Sequence, residues 1–201
     1  MHQPDYRDAS GVMQMPWVFL HAIKDYYDMP WMMARHENVK ATFNITSPII
    51  EQLKLYYTTP HESDRFLSIW LKDPSYLQED DRNWLIKLCK STQFDTMVKP
   101  FERYVELYNQ EHFNNSELVD LEVVFMLAWC GVFLRENNAL VKELMEKKRN
   151  YNDDDKSALL DELSRFVSGI FTYYSQLHNE GIITISTTPL NHPILPLLMD
   201  M

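Results

Sequence analysis

Hydrophobic positions along this chain change period from one stretch to the next. Residues 2–11 carry no periodic pattern and read as a loop. A helix can begin at Pro16, because proline is tolerated in a first turn. Val18, His21, Ile23 and Tyr26 give that helix a partly apolar face. Pro30 is expected to interrupt it, with a short second helix over Trp31–Arg35. Val39, Ala41, Phe43 and Ile45 then alternate with Lys40, Thr42 and Asn44, the period-two pattern of a half-buried strand. Ser47-Pro48 supplies an N-cap and a first-turn proline, and Ile49, Ile50, Leu53 and Tyr57 follow at helical spacing. A strand, a very short turn and a helix make the elementary unit of an α/β fold.

From Pro60 to Glu180 the pattern is almost entirely helical, punctuated by Pro74 and Pro100. Leu118, Leu121, Phe125, Ala128 and Val132 share one face, with Asn115 or Ser116 as cap. The longest apolar run, Val123–Leu134, is too short to span a bilayer and fits a buried helix. Asn152 and Asp155 have the spacing of a capping box. The helix they open carries Leu159, Leu163, Phe166, Ile170, Tyr174 and Leu177 on one stripe, and Gly181 sits where a left-handed C-cap is expected. Ile182–Ser186 is a second, β-branched strand closed by Pro189, and residues 192–198 read as a proline-bracketed turn. Two strands do not make a sheet that stands alone, so either further strands complete it or the protein is helical with a small ribbon.

Composition narrows the function. The chain has 201 residues, of which only four are glycines, far below the usual share of roughly 7%. No two glycines are close, which excludes the G-x-G-x-x-G and P-loop cradles and with them most nucleotide-binding readings. The net charge of −10 argues against nucleic acid and against anionic membranes. A neutral partner such as a sugar is compatible with it. Cys89 and Cys130 lie inside apolar helical patterns, form no metal spacing and read as buried thiols of a cytoplasmic protein. No apolar leader segment opens these residues. No cofactor is expected.

Few residues point to chemistry. His2, held by Pro4 two positions on, and His192, followed by Pro193, are candidate donors to a ligand oxygen, with a mobile terminus and a turn histidine as their plain alternatives. Trp17, Phe19, Tyr26, Tyr27 and Trp31 can stack on sugar rings or fill a core, and helical spacing favours the core. Asp153-Asp154-Asp155 lacks the glycine and later glutamate of a calcium loop and reads as helix capping. Nothing in the spacing of His2, Asp5 and His192 marks a metal site. A glycosidase needs two carboxylates flanking the scissile bond, and neither strand ends in one. There is no G-x-S-x-G elbow.

Several segments together resemble glycoside hydrolase family 57. His2-Gln3-Pro4-Asp5-Tyr6 is similar to its first signature, and Pro16-Trp17 through His21–Met29 to the segment after it. Phe43–Thr46 with Glu51-Gln52-Leu53 resembles its second strand and helix, and Asp120-Leu121 with Leu127-Ala128-Trp129 its helical insertion. Thr187-Thr188-Pro189 with His192–Leu198 resembles its second signature. The resemblance implies an α/β fold, an incomplete (β/α)7 barrel of distorted TIM type in which the two strands lie parallel and adjacent, with a helical insertion over about 60–180 that makes this chain mostly helical. Residues 1–201 would then be the N-terminal portion of the catalytic domain, short of strands at both ends.

The family acts on α-glucans with retention, as α-amylases, 4-α-glucanotransferases, branching enzymes and amylopullulanases. Its nucleophilic glutamate and its acid/base aspartate belong to later signatures, so no catalytic residue is expected in this chain. The matching histidines, His2 and His192, become the expected substrate-binding residues, hydrogen-bonded to sugar hydroxyls. Thr184 departs from the pattern, since family members often have a glutamate there. The expected partners are an α-glucan or maltooligosaccharide and the remainder of the barrel. The alternative is a non-catalytic helical scaffold that binds glucan or a protein.

Overall fold

The structure, a computed structural model, describes Met1 and residues 3–188. After an irregular opening come α1 (Trp17–His21), a π-helical turn (Ala22–Tyr26) and α2 (Tyr27–Met33). Strand β1 (Ala41–Asn44) leads into α3 (Ser47–Thr58), followed by α4 (Pro60–Ser63) and α5 (Arg65–Trp70). Next are α6 (Glu79–Cys89), α7 (Glu102–Tyr108), α8 (Asn115–Trp129), α9 (Val132–Asn137) and α10 (Ala139–Lys147). The described residues close with α11 (Asp153–Ser168), α12 (Ile170–Asn179) and β2 (Ile183–Ser186).

The chain builds its core around α8. Every side chain from Leu118 to Ala128 is buried, as a helix apolar nearly all round requires. Phe66, Phe125, Trp70 and Leu163 fill the space between it and its neighbours, with Phe66 meeting Phe125 edge to face and the Trp70 indole donating to the Glu122 carbonyl. Both cysteines are free and buried. No helix among the described residues is long and apolar enough to cross a membrane.

β1 and β2 pair in parallel, Ala41 opposite Ile183 and Asn44 opposite Ser186. This bears out the two strands as neighbours, with the helical stretch as their crossover. Each is shorter than its sequence pattern. Val39 is largely exposed and stays outside the ladder, while Ile45 still donates to the Ser186 carbonyl at 2.9 Å. Gly181 has φ +68° and closes α12 as expected: its N–H reaches the His178 carbonyl, and the Ile182 N–H reaches that of Leu177.

Several boundaries differ from the sequence reading. Pro30 lies inside α2 and does not break it. A helical N–H at position 30 would have served the Tyr26 carbonyl, which instead accepts the Tyr174 hydroxyl at 2.6 Å. Asn114, not Asn115 or Ser116, caps α8 in a box with Glu117. Thr46, not Ser47, takes the cap position of α3, and its hydroxyl turns to the Met1 carbonyl. The run Val123–Leu134 is two helices, because Cys130 is extended and Gly131 starts α9. Gly169 likewise divides the stripe from Leu159 to Leu177. The Asn152–Asp155 capping box forms as read.

Asp64 is fully buried, caps α5 through the Leu67 N–H, and accepts the Tyr56 hydroxyl at 2.6 Å. Burial pushes its carboxyl up to about 6. A group that holds its proton more tightly in the folded state stabilises most below its unfolded pKa. Its contribution is therefore complete below about pH 4 and is lost as pH rises through 6. Asp64→Asn should flatten the dependence of the urea midpoint on pH in that window. An unchanged slope would assign it to other groups.

Candidate functional site

The opening segment lies across the C-terminal end of β1. Gln52 fixes it there. Its side chain is fully buried on α3, accepts the Tyr6 N–H at 3.0 Å, and donates to the Pro4 carbonyl at 3.1 Å and the Pro48 carbonyl at 3.2 Å. A buried amide needs such partners, and here they join the chain's start to the first turn of α3. The Tyr6 hydroxyl donates to Gln3 Oε1 at 2.8 Å, and the Met1 amino nitrogen reaches the Asn44 carbonyl at 2.5 Å.

Asn44 and Ser186 end the two strands side by side, with Asn44 Nδ2 donating to Ser186 Oγ at 3.0 Å. Asn44 Oδ1 and Thr188 Oγ1 are buried without a partner among the described residues. Phe43 projects to the other face and meets Tyr174 of α12 edge to face, with centroids 5.4 Å apart. Strand alternation therefore puts Thr42, Asn44, Thr184 and Ser186 on the face turned away from that helix. Thr184 is exposed there, opposite Thr42.

Tyr26 links these strand ends to an aromatic surface. It is buried, and its hydroxyl, pushed up to about 12 by burial, has no hydrogen-bond partner among the described residues. His21 stacks beside it at 6.1 Å and meets Trp129 edge-on at 5.5 Å. Trp17 lies 6.2 Å from Trp129, and the Lys24 ammonium 5.3 Å from its ring. His21 Nδ1 and Asp25 Oδ2 are 2.6 Å apart. Burial raises the Asp25 carboxyl, but the His21 hydrogen bond and the Lys24 charge outweigh it and hold the group below its ordinary range. The Trp129 indole N–H is buried and unpartnered among the described residues. A π-helical turn re-aims the side chains of a helix, and such turns recur at functional sites.

Next to this surface is a cavity of about 310 Å³ lined by Lys24, Asp25, Asp28, Gly131 and Arg135 among others. Asp28 is tied to backbone on one side of it. Its Oδ2 accepts the Val132 N–H at 2.5 Å and its Oδ1 the Phe133 N–H at 3.1 Å, capping α9 from α2. Burial raises this carboxyl despite those two donors. The nearby carboxylates are thus already engaged: Asp5 and Glu51 with Arg7, Asp25 with His21, Asp28 with backbone. The arrangement suits binding. Aromatic faces can stack on a ring-shaped ligand, and the half-buried His21, Lys24 and Asp25 can meet its polar groups.

A model of glycosyl hydrolase family 57 matches residues 1–201, the whole chain. The chain belongs to glycosyl hydrolase family 57. Comparison with curated proteins and with solved structures gives no match.

The two histidines that the family 57 resemblance singled out, His2 and His192, both lie outside the described residues. Part of each signature lies within the described residues. Gln3, Pro4 and Tyr6 of the first signature are held at the end of β1, and Thr187 and Thr188 of the second follow β2. Of the five aromatics weighed from sequence, Phe19 and Tyr26 are core, while Trp17, Tyr27 and Trp31 are half-buried. Sequence reasoning gave no role to Trp129, Gln52, Asp25 or Asp28. The His21–Asp25 pair was visible as an i,i+4 spacing. Trp129 was not, because an apolar run identifies a buried helix without saying which ring ends at its surface.

Proposed function

We propose that this chain is the N-terminal portion of a retaining, α-glucan-active member of family 57, a hydrolase or glucanotransferase. The (β/α)7 barrel is the architecture that best accommodates its parallel strands. The polar face of Thr42, Asn44, Thr184 and Ser186 would turn to the barrel interior, and the Phe43 face to the helical layer. The observation that carries the reading is the convergence of the opening segment with the ends of β1 and β2, contiguous with the Tyr26–His21–Trp129 surface. In α/β barrels substrate sites form at that end of the strands. His2 and His192 would bind sugar hydroxyls there. The catalytic glutamate and aspartate would come from later strands, so residues 1–201 alone should bind glucan without cleaving it. Two free buried thiols fit a cytoplasmic setting.

Titration with maltoheptaose should quench tryptophan fluorescence saturably, and Trp129→Ala should weaken binding about tenfold or more. Reducing ends should not accumulate. Absence of any saturable change would remove the glucan reading. Turnover abolished by replacing a carboxylate within residues 1–201 would put the catalytic pair in this chain.

A further inference from the structure

The corner between α7, α8 and α10 holds a second cavity of about 310 Å³, at the low end of the range for small-molecule sites. Four cationic side chains line it: Arg103, Arg135, Lys148 and Arg149. With Glu102, Glu106 and Asp120 lining it or paired to these cations, four positive groups meet three carboxylates, a local excess of positive charge in a chain of net charge −10. Glu102 also lines it, as an exposed carboxylate. Phe101, Val124 and Met145 give apolar walls, and Tyr151 stands among them.

The cations are positioned before any ligand arrives. Glu106 bridges two of them, its oxygens lying 2.8 Å from Arg103 Nη1 and 3.0 Å from Arg149 Nη2. Buried Asp120 takes Arg103 Nε at 2.8 Å and the Tyr151 N–H at 3.0 Å, tying the loop after α10 to α8. Arg135 places one Nη on the Ala128 carbonyl at 2.6 Å, while its Nε is buried with no partner among the described residues. Lys148 and Arg135 have no ion-pair partner among the described residues.

The loop that presents Lys148 and Arg149 is strained. Lys148 has φ +64° and ψ −35°, and the Arg149 N–H closes on the Lys147 carbonyl at 2.8 Å, making a γ-turn of the rare hand. Asn150 follows at φ +61°. A lysine gains nothing locally from this backbone, where glycine would be at ease.

A guanidinium fork matches the oxygens of a phosphoryl group, and several cations suit a dianion better than a singly charged carboxylate. The apolar walls leave room for a small neutral body. We propose that this cavity binds the phosphoryl head of a small organic phosphate, with Arg103, Arg135, Lys148 and Arg149 as its cationic ligands. It does not rest on the glucan reading. Arg135 also lines the cavity beside Asp25, so the two cavities share this one guanidinium.

The test uses inorganic phosphate and glucose 6-phosphate as probes, with glucose and sodium chloride of matched ionic strength as controls. Thermal unfolding is followed at increasing probe concentration, since a ligand that binds only the folded state raises the transition saturably. Both phosphates should raise it, and the controls should not. Lys148→Gly removes a cation while relieving the positive-φ strain. It should leave the unliganded transition equal or higher and weaken phosphate binding about tenfold. Arg149→Gln should weaken binding similarly, with Arg103 still held by Asp120. The proposal is overturned if sodium chloride reproduces the shift, or if both variants bind phosphate as the parent does. Binding of inorganic phosphate with exclusion of glucose 6-phosphate would also overturn it.

Discussion

Lys156→Met is expected to lower the unfolding free energy by about 3–5 kcal/mol. Lys156 and Glu122 face each other in the core, 2.9 Å apart, with side chains 1% and 0% exposed. The ammonium also donates to the Lys72 carbonyl at 3.0 Å, approaches Asp153 at 3.4 Å and lies 5.7 Å from the Trp70 ring centroid. Glu122 is less well provided. The ammonium approaches it off the favoured direction, and neither carboxylate oxygen accepts an aligned hydrogen bond among the described residues. Burial pushes the Glu122 carboxyl up to about 8, against the pull of Lys156. Removing the ammonium withdraws that pull and strands a buried acid. For a domain of this size the loss corresponds to about 2–4 °C in the transition per kcal/mol. Glu122→Leu/Lys156→Met removes the desolvation cost together with the attraction and should recover most of the stability. The Trp70 indole keeps its partner in both variants, because it donates to the Glu122 main-chain carbonyl at 3.1 Å. Urea midpoints of parent, single and double variants decide the matter. A single variant as stable as the parent would mean that the pair contributes no net stability.

Gly131→Ala should destabilise by about 1–3 kcal/mol for a different reason, crowding. A Cβ at this position would stand 2.5 Å from Asp28 Oδ2, 2.7 Å from Cγ and 2.8 Å from Oδ1. The carboxylate cannot step aside cheaply, because it caps α9 through the Val132 and Phe133 N–H groups. Gly131 is itself held, its N–H donating to the Ile23 carbonyl at 2.9 Å. Asp28→Ala alone should cost about 1.5–3 kcal/mol by leaving two helix donors without their charged acceptor. Added to Asp28→Ala, Gly131→Ala should cost much less than it does alone, since the clash is gone. Strict additivity in chemical denaturation would show that the two residues do not meet.

What could be read in advance followed from local chemistry. The alternation over Val39–Ile45, the β-branched run at Ile182–Ser186, the Asn152–Asp155 box and Gly181 each act over a few residues; the box and Gly181 stand where the pattern placed them, and each strand forms inside its patterned stretch. The pairing of β1 with β2 also agreed, because a strand–turn–helix unit followed by a second strand favours a parallel crossover. Two of the differences originate in distant partners. Pro30 continues a helix because Tyr174 serves the orphaned carbonyl, and the α8–α9 break sits where Asp28 can cap it. Neither partner is near in sequence. The site divides in the same way. Family signatures drew attention to the opening segment and to the residues after β2, but Gln52 and Trp129 acquire their roles only through packing.

The separation of the paired strands also orders events in time. Asn44 and Ile183 lie about 140 positions apart, and closing a loop of that length costs about 4 kcal/mol of chain entropy. A four-residue ladder cannot offset that on its own. The ends must be brought together by helices already packed, α3 against α11 and α12 against β2. Chain entropy therefore favours folding from the helical layer to the sheet, with the strand-end surface completed last. A defect deep among the helices would reach that surface as a delay in its assembly, without altering any residue on it.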